Sequence, residues 1–291
     1  MILLDLNQVM ISNLMKQLAM NKQQIDQGLI RHMVLNSIRL YNSRFRNEYG
    51  EMVICCDDKN YWRKDYFPYY KAHRKEDRDK SPIDWNQVFD CLNGIRDELK
   101  EFFPYKVVQV DRAEADDIIA TLTKLHSDGA DTGLILESNE KVLIVSGDKD
   151  FAQLQKYANV SQYSPVMKKW ITCDDPEIFL KEHIMKGDRG DGVPNFLSGD
   201  NVIIAKERQR PLAAKKVADW IDKDPADFCN EIMLRNYKRN QQMVDLDFIP
   251  DYIVDKIKTE YENANQAPRK GLMNYFIKNK LKHLIEHIGD F

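Results

Sequence analysis

The chain has 291 residues, of which 43% are hydrophobic and 31% charged, and a formal net charge of −3. That mixture suits a globular protein with a heavily charged surface and excludes a fibrous or low-complexity chain. The longest apolar runs, such as residues 142–145, fall far short of the roughly 20 residues that span a bilayer, and Met-Ile-Leu-Leu-Asp at the N-terminus lacks the basic region and cleavage site of a secretory signal.

Residues 1–5 are a short apolar run ending in an acid, the pattern of a buried strand. Helices are expected over 9–20 and 26–48. In the second, Leu29, Ile30, Met33, Val34, Ser37, Ile38 and Tyr41 recur at helical spacing. The next apolar run, 52–56, again leads into acids, Asp57 and Asp58. A helix over 85–103 stops before Pro104, a strand follows at 107–110, and 113–126 reads as a helix. Residues 127–140 are expected to be a polar surface loop. A strand at 141–145 enters Ser146-Gly147-Asp148-Lys149-Asp150, followed by a short helix at 151–155 and a strand at 160–163. From about residue 175 the chain reads as helical and polar. Five cysteines (Cys55, Cys56, Cys91, Cys173, Cys229) make an odd count without CxxC spacing, which implies reduced thiols and no zinc site.

Strands alternating with helices predict an α/β fold, a central, mostly parallel sheet flanked by helices. No repeat or linker divides the chain. The expected organisation is an α/β core over 1–180, containing a basic and aromatic segment at about 59–82, with a helical region over 181–291 packed on that core. Acids recur at strand ends (Asp5, Asp57, Asp148, Asp150), and in such sheets ligands bind at the carboxyl ends of the strands.

The net charge conceals a separation. Setting aside nine acids in five short motifs (Asp5, Asp57, Glu114, Asp116, Asp117, Asp148, Asp150, Asp188, Asp191) leaves 37 acidic against 43 basic side chains. An acidic focus on a basic background suits a metal site that cuts a polyanion. Magnesium prefers oxygen ligands, and a pair of such ions can activate water and stabilise a leaving oxygen. Asp148 and Asp150, two apart in extended chain, point to one side. Asp188 and Asp191 share a face if their segment is a helical turn. Glu114 and Asp116 converge only if Glu114 precedes the first full turn of its helix. A lone strand-end Asp is more often a helix cap than a ligand, so the weight lies in the five motifs together.

That series, LLDLNQ, VICCDD, RAEADDIIA, SGDKDF and KGDRGDGVPN, resembles the structure-specific 5′ nuclease family. The family includes flap endonucleases, the 5′ nuclease domains of bacterial DNA polymerases, and phage exonucleases. NYWRKDYFPYYKAHR, SPVMKKW, DFIPDYI and PRKG extend the likeness over nearly the whole chain. The resemblance implies a PIN-like 5′ nuclease fold. It also implies two Mg2+ ions, replaceable by Mn2+, held by Asp5, Asp57, Glu114, Asp116, Asp148, Asp150, Asp188 and Asp191. Asp5, Asp57, Glu114, Asp116 and Asp148 would group nearer one metal; Asp150, Asp188 and Asp191 nearer the other. Asp117 completes the EADD motif as a ligand or a supporting acid, and the match falls beside Asp58 rather than on it.

Between Asp58 and Pro82 aromatics interleave with cations, a composition that suits single-stranded nucleic acid but equally a helix with an aromatic core face. In the family this segment is a helical arch through or beneath which the 5′ strand passes. Lys71 and Arg74 then match cations that contact the scissile phosphate, and Arg63, Lys64 and Tyr70 join them as nucleic-acid contacts. Beyond the fifth motif, Lys206, Arg208, Arg210, Lys215 and Lys216 are expected to touch duplex phosphates. The family's Gly-rich turn is replaced there by Gly-Val-Pro-Asn-Phe-Leu-Ser-Gly-Asp, so a potassium site is not carried over.

The resemblance implies a 5′→3′ exonuclease and flap endonuclease acting on RNA–DNA and DNA duplexes with 5′ ends or flaps. Its role would be to clear RNA primers and adjacent DNA during lagging-strand replication. A monomer in the cytoplasm, that of a bacterial host if phage-encoded, is expected, without a membrane. A single-strand-binding protein or sliding clamp is the partner by analogy, and the amphipathic segment 281–291 could meet one or pack on the body. The competing readings are a replication accessory that binds branched DNA without cutting it, and a metal-dependent phosphatase. Eight or more acids argue against a pure binder; the long basic-aromatic segment argues against a small substrate.

Overall fold

The apolar runs become strands in the computed structural model, which describes residues 1–20, 24–127 and 140–291. They are β1 (Ile2–Asp5), β2 (Met52–Cys56), β3 (Lys106–Gln109), β4 (Val142–Val145), β5 (Val160–Ser164) and β6 (Lys169–Ile171). One sheet results, in the order β3-β2-β1-β4-β5-β6, with antiparallel β6 beside otherwise parallel strands. β1, β2 and β4 are buried along their whole length, as continuous apolar runs require when both faces of a parallel sheet are covered.

Thirteen α-helices fall within the described residues: α1 (Leu6–Met20), α2 (Gln27–Tyr49), α3 (Arg63–Tyr66), α4 (His73–Asp79), α5 (Trp85–Phe102), α6 (Ala115–Ser127), α7 (Pro176–Lys186), α8 (Ala214–Trp220), α9 (Pro225–Phe228), α10 (Glu231–Val244), α11 (Asp251–Asn263), α12 (Leu272–Lys278) and α13 (Lys282–Ile285). Alternation along the strands divides the core into two layers. Ile2, Leu4, Ile54 and Val145 meet α1, α2, α5, α12 and α13 through Leu14, Val34, Ile38, Leu92, Phe276 and Leu284. Leu3, Val53, Val108 and Ile144 meet α6, α10 and α11 through Ile118, Leu122, Met243, Ile253 and Ile257. The C-terminal helices therefore bury apolar surface against both faces. The last residues do the same: Phe291 is fully buried, its ring 5.5 Å from Phe103 and 5.3 Å from Phe276, and Asp290 pairs with Arg39. Among the described residues no helix is long and apolar enough to cross a membrane.

The strand order reverses between β1 and β4, opening a crevice at their carboxyl ends, the usual ligand position in open α/β sheets. Asp5 ends β1, and β4 feeds the segment carrying Asp148 and Asp150 there. Two elements depart from expectation. β6 is a three-residue edge strand whose Lys169 and Trp170 are exposed, so it carries no burial pattern to read. The short helix expected at 151–155 is a longer 3-10 segment, Lys149–Lys156, capped by the Asp148 carboxylate on the Asp150 N–H at 2.9 Å. The loop expected at 127–140 lies, apart from its two ends, outside the described residues.

Candidate metal centre and arch

Each acid reaches the crevice because a strand or helix terminus delivers it. Asp5 accepts the Gln8 N–H at 3.0 Å and the Ser146 hydroxyl at 2.9 Å, which ties β1 to the end of β4. Asp57, just past β2, accepts the Asn7 side-chain amide at 2.5 Å and the Ala115 N–H at 2.7 Å, which draws it against the start of α6. Glu114 immediately precedes α6, meeting the condition under which it can converge with Asp116 in the first turn. The Asp117 carboxylate accepts the Glu114 N–H at 2.9 Å and so stiffens that entry. Asp188 caps the 3-10 turn Arg189–Asp191, its carboxylate accepting the Asp191 N–H at 3.2 Å.

The electrostatics separate these acids by their partners. Burial pushes Asp5 up. Burial and then Glu114 bring Asp57 to about 7. Burial and then Asp148 lift Asp116 well above the carboxylate range, while burial and then Asp150 bring Asp148 to about 6. Acids that hold protons so tightly are short of positive charge, and the group best suited to several converging carboxylate oxygens is a hard divalent cation. Glu114 and Asp188 are the exceptions. Burial would raise each, but Lys71 and Arg63 hold Glu114, and Lys149 holds Asp188, below the ordinary value. A second focus lies beside the first: Asp150, Asp188 and His183 each direct one ligand atom into a region where all lie within 4.8 Å of one another.

The segment 59–82 closes over these acids as the two short helices α3 and α4 joined through Tyr70 and Lys71. Lys71 adopts a left-handed backbone (φ 53°), uncommon for a residue with a Cβ, and its N–H donates to the Asp191 carbonyl at 2.7 Å. Its ammonium pairs with Glu114 and lies 3.6 Å from Asp191. Burial works against that charge, but Tyr70, Glu114 and Asp191 raise the Lys71 pKa well above its usual value and keep it protonated. Arg74 pairs with Asp191 at 2.6 Å. Gly192 permits the approach: with φ 78°, a Cβ there would stand 2.8 Å from the Tyr69 carbonyl.

Several expected nucleic-acid contacts are corrected. Arg63 is 3% exposed, paired with Glu114 and Asp117 at 2.8 Å each, and donates to the Met243 carbonyl at 3.1 Å, so it has no face for a nucleic acid. Tyr70 is buried too, its hydroxyl donating to Glu114 at 2.9 Å and Asp191 at 3.0 Å. Asp117 is not open to a metal: Arg63, the Trp62 indole and the Glu114 N–H occupy its oxygens. Asp191 also departs from the expected grouping, since Tyr70, Lys71 and Arg74 turn it toward Glu114 while Asp188 meets Lys149 at 2.9 Å. Lys64, Arg208, Arg210, Lys215 and Lys216 are exposed, and Lys206 is exposed but paired with Glu76 of α4 at 2.6 Å.

Sequence reasoning missed His183, Lys149, Asn7 and Gln8. The last two were legible in principle, as amides directly after a strand-end acid; the Gln8 side-chain oxygen Oε1 accepts the Gly147 N–H at 2.5 Å. His183 had no local signal, because only the packing of α7 on the Lys149–Lys156 segment brings it to Asp150.

Residues 1–183 match the model of the 5′-3′ exonuclease N-terminal resolvase-like domain, and residues 174–291 match the C-terminal model of T4 RNase H. The chain belongs to the 5′-3′ exonuclease family. The resemblance read from its motifs narrows to the ribonuclease H of T-even phages, and the comparison bears this out. Ribonuclease H of Enterobacteria phage T4 is 35% identical over 299 aligned residues, spanning 99% of this chain and 95% of that protein. The fold agrees with a bacteriophage T5 protein co-crystallised with metal ions (TM-score 0.62, 18% identity, 91% of this chain and 99% of that one). It also agrees with the T5 flap endonuclease in a pseudo-enzyme-product complex with DNA and metal ions (TM-score 0.58, 18% identity, 90% and 97%). This chain is thus a 5′-3′ nuclease acting on phosphodiester bonds, built on the mostly parallel sheet that its strand pattern predicts.

Proposed function

We propose that this nuclease is a 5′→3′ exonuclease and flap endonuclease acting on RNA–DNA and DNA duplexes, and that it clears RNA primers and adjacent DNA from lagging-strand fragments. The observation that supports this reading best is the cation-poor group of Asp5, Asp57, Asp116 and Asp148 lying beneath an arch that carries Lys71 and Arg74. Two Mg2+ ions are the cofactors that these oxygen donors suit, with Asp5, Asp57, Glu114, Asp116 and Asp148 nearer one and Asp150 and Asp188 nearer the other. Bound there, such ions supply an activated water and neutralise the departing 3′ oxygen.

The remaining work belongs to the chain itself. Lys71, protonated and partly sheltered, and Arg74, more exposed, lie where a phosphate entering above the acids would meet two cations. Transferring their pairing from Glu114 and Asp191 to that phosphate fixes the scissile bond and stabilises charge developing on it. Residues 1–180 serve as the nuclease core, and 181–291 as the duplex-binding region, where Arg208, Arg210, Lys215 and Lys216 present exposed cations. A single-strand-binding protein is the partner expected of a monomer working at lagging-strand ends.

A labelled 5′-flap duplex and an RNA–DNA hybrid test this with and without magnesium. The wild-type chain is expected to release short 5′ products only with magnesium, and Asp116→Asn to bind but not cut. Replacing Lys71 and Arg74 with Ala should slow cleavage by roughly 10²–10³-fold while duplex binding weakens far less. Tight binding with no cleavage under any divalent ion would instead make the protein a branched-DNA accessory.

A further inference from the structure

The imidazole of His183 is 6% exposed and stands at the second focus of acids, where oxygen ligands alone are expected. Asp175 caps α7, Pro176 occupies its first turn, and Gly187 ends it at a positive φ of 66° with its N–H on the His183 carbonyl, so the helix holds His183 one turn before the Gly187-Asp188 corner. The Phe179 ring stacks on the imidazole at 5.8 Å and 29°, which restricts its rotation. His183 Nε2 then lies 3.0 Å from Asp150 Oδ1 and 3.9 Å from Asp188 Oδ2.

The contact is close, yet it is not a hydrogen bond. Both His183 Nε2 and Asp150 Oδ1 are buried, and neither has a hydrogen-bond partner among the described residues. Buried polar atoms of this kind are usually paired, so two orphans side by side require an explanation. Two ligand atoms that each stand about 2.1 Å from one octahedral ion are about 3 Å apart when they are neighbours around it. The arrangement is therefore that of donors converging on a common point rather than on each other.

We propose that His183 supplies a nitrogen ligand, with Asp150 and Asp188, to a divalent ion at this position, and that it biases the position toward manganese over magnesium. The proposal rests on the metal reading of the carboxylate site and adds to it the identity of a ligand and a preference. Magnesium favours an all-oxygen shell. Imidazole suits the transition divalents, so one nitrogen among oxygens shifts the balance toward them. Lys149 also touches Asp188, at 2.9 Å, but its side chain is 56% exposed and can turn away into solvent when a cation arrives.

Manganese titrated into the full chain tests this directly, without turnover. Electron paramagnetic resonance counts bound ions, and electron spin-echo modulation reports nitrogen coordinated to them. The wild-type chain is expected to show nitrogen modulation. His183→Gln, with His183→Asn as a second variant and circular dichroism checking both folds, should lose it. Manganese affinity at one site should then fall about tenfold, while magnesium affinity by competition changes less than about twofold. Bound manganese without nitrogen modulation in the wild-type chain would leave the acids as ligands and overturn the role of His183. Equal losses for both metals in the variants would overturn the preference. No bound manganese at all would overturn this proposal and the metal reading beneath it.

Discussion

Arg63 lies between Glu114 and Asp117 with almost no exposed surface, and its two ion pairs are what make that arrangement tolerable. Burying three charges costs desolvation that the pairs offset only while all are present. Arg63→Met should therefore destabilise the fold by about 3 kcal/mol, read as a lowered urea midpoint. Adding Asp117→Asn should restore part of the loss by removing one unpaired buried charge. Unchanged stability with weakened nucleic-acid binding would return Arg63 to the surface role that its neighbours in sequence suggest. That role was misread because aromatic and basic residues alternate alike on a nucleic-acid face and on a segment folded inward. What decides between them is Glu114 and Met243, 51 and 180 positions away, and no local pattern contains them.

At the scale of elements, the loop between α7 and α8 carries its own supports. Asn195 Nδ2 donates to the Arg210 carbonyl at 2.9 Å, and Asn236 Nδ2 donates to the carbonyls of Phe196 and Ser198. Asp200 pairs with Arg235 and, at 2.5 Å, with Arg239, which is 4% exposed. Burial would raise the Asp200 carboxyl, but the two guanidinium groups hold it below its ordinary 3.8. A depressed folded-state pKa adds stability that is present above the unfolded value and lost as pH falls through the folded one. Asp200→Asn should accordingly cost about 2 kcal/mol near neutrality, less than a fully buried pair, because Asp200 retains 24% of its side-chain exposure. The gap to wild type should close below about pH 4, as chemical denaturation over a pH series would show; a gap independent of pH would mean that packing, not charge, is lost. This loop was foreseen only as a basic stretch, since its order comes from Asn195 within it and from Arg235, Asn236 and Arg239 on the distant α10. The strands β1, β2 and β4 were legible because their burial makes them unbroken apolar runs, whereas β6 was not, having only an exposed edge.

Across the whole molecule, the separation of charge inferred from composition takes physical form. The convergence of Asp5, Asp57, Asp148 and Asp150 was legible because a parallel sheet sends every strand end to one side, and the reversal between β1 and β4 places the crevice there. The contribution of His183 was not, since it depends on how a helix from the second half of the chain packs. The cations outside the site divide by whether they already have a partner. Lys206 is held by Glu76, but Lys215 and Lys216 on α8 are exposed and in no ion pair among the described residues, so a duplex backbone can engage them without displacing an acid. Each phosphate neutralised contributes about 0.9 to the slope of log affinity against log salt. In an Asp116→Asn background, which keeps the substrate intact, Lys215→Ala with Lys216→Ala should lower that slope by about 2 and weaken binding alike for RNA–DNA and DNA duplexes. An unchanged slope in a fluorescence-anisotropy titration would place both lysines off the duplex path and shift the contact toward Arg208 and Arg210.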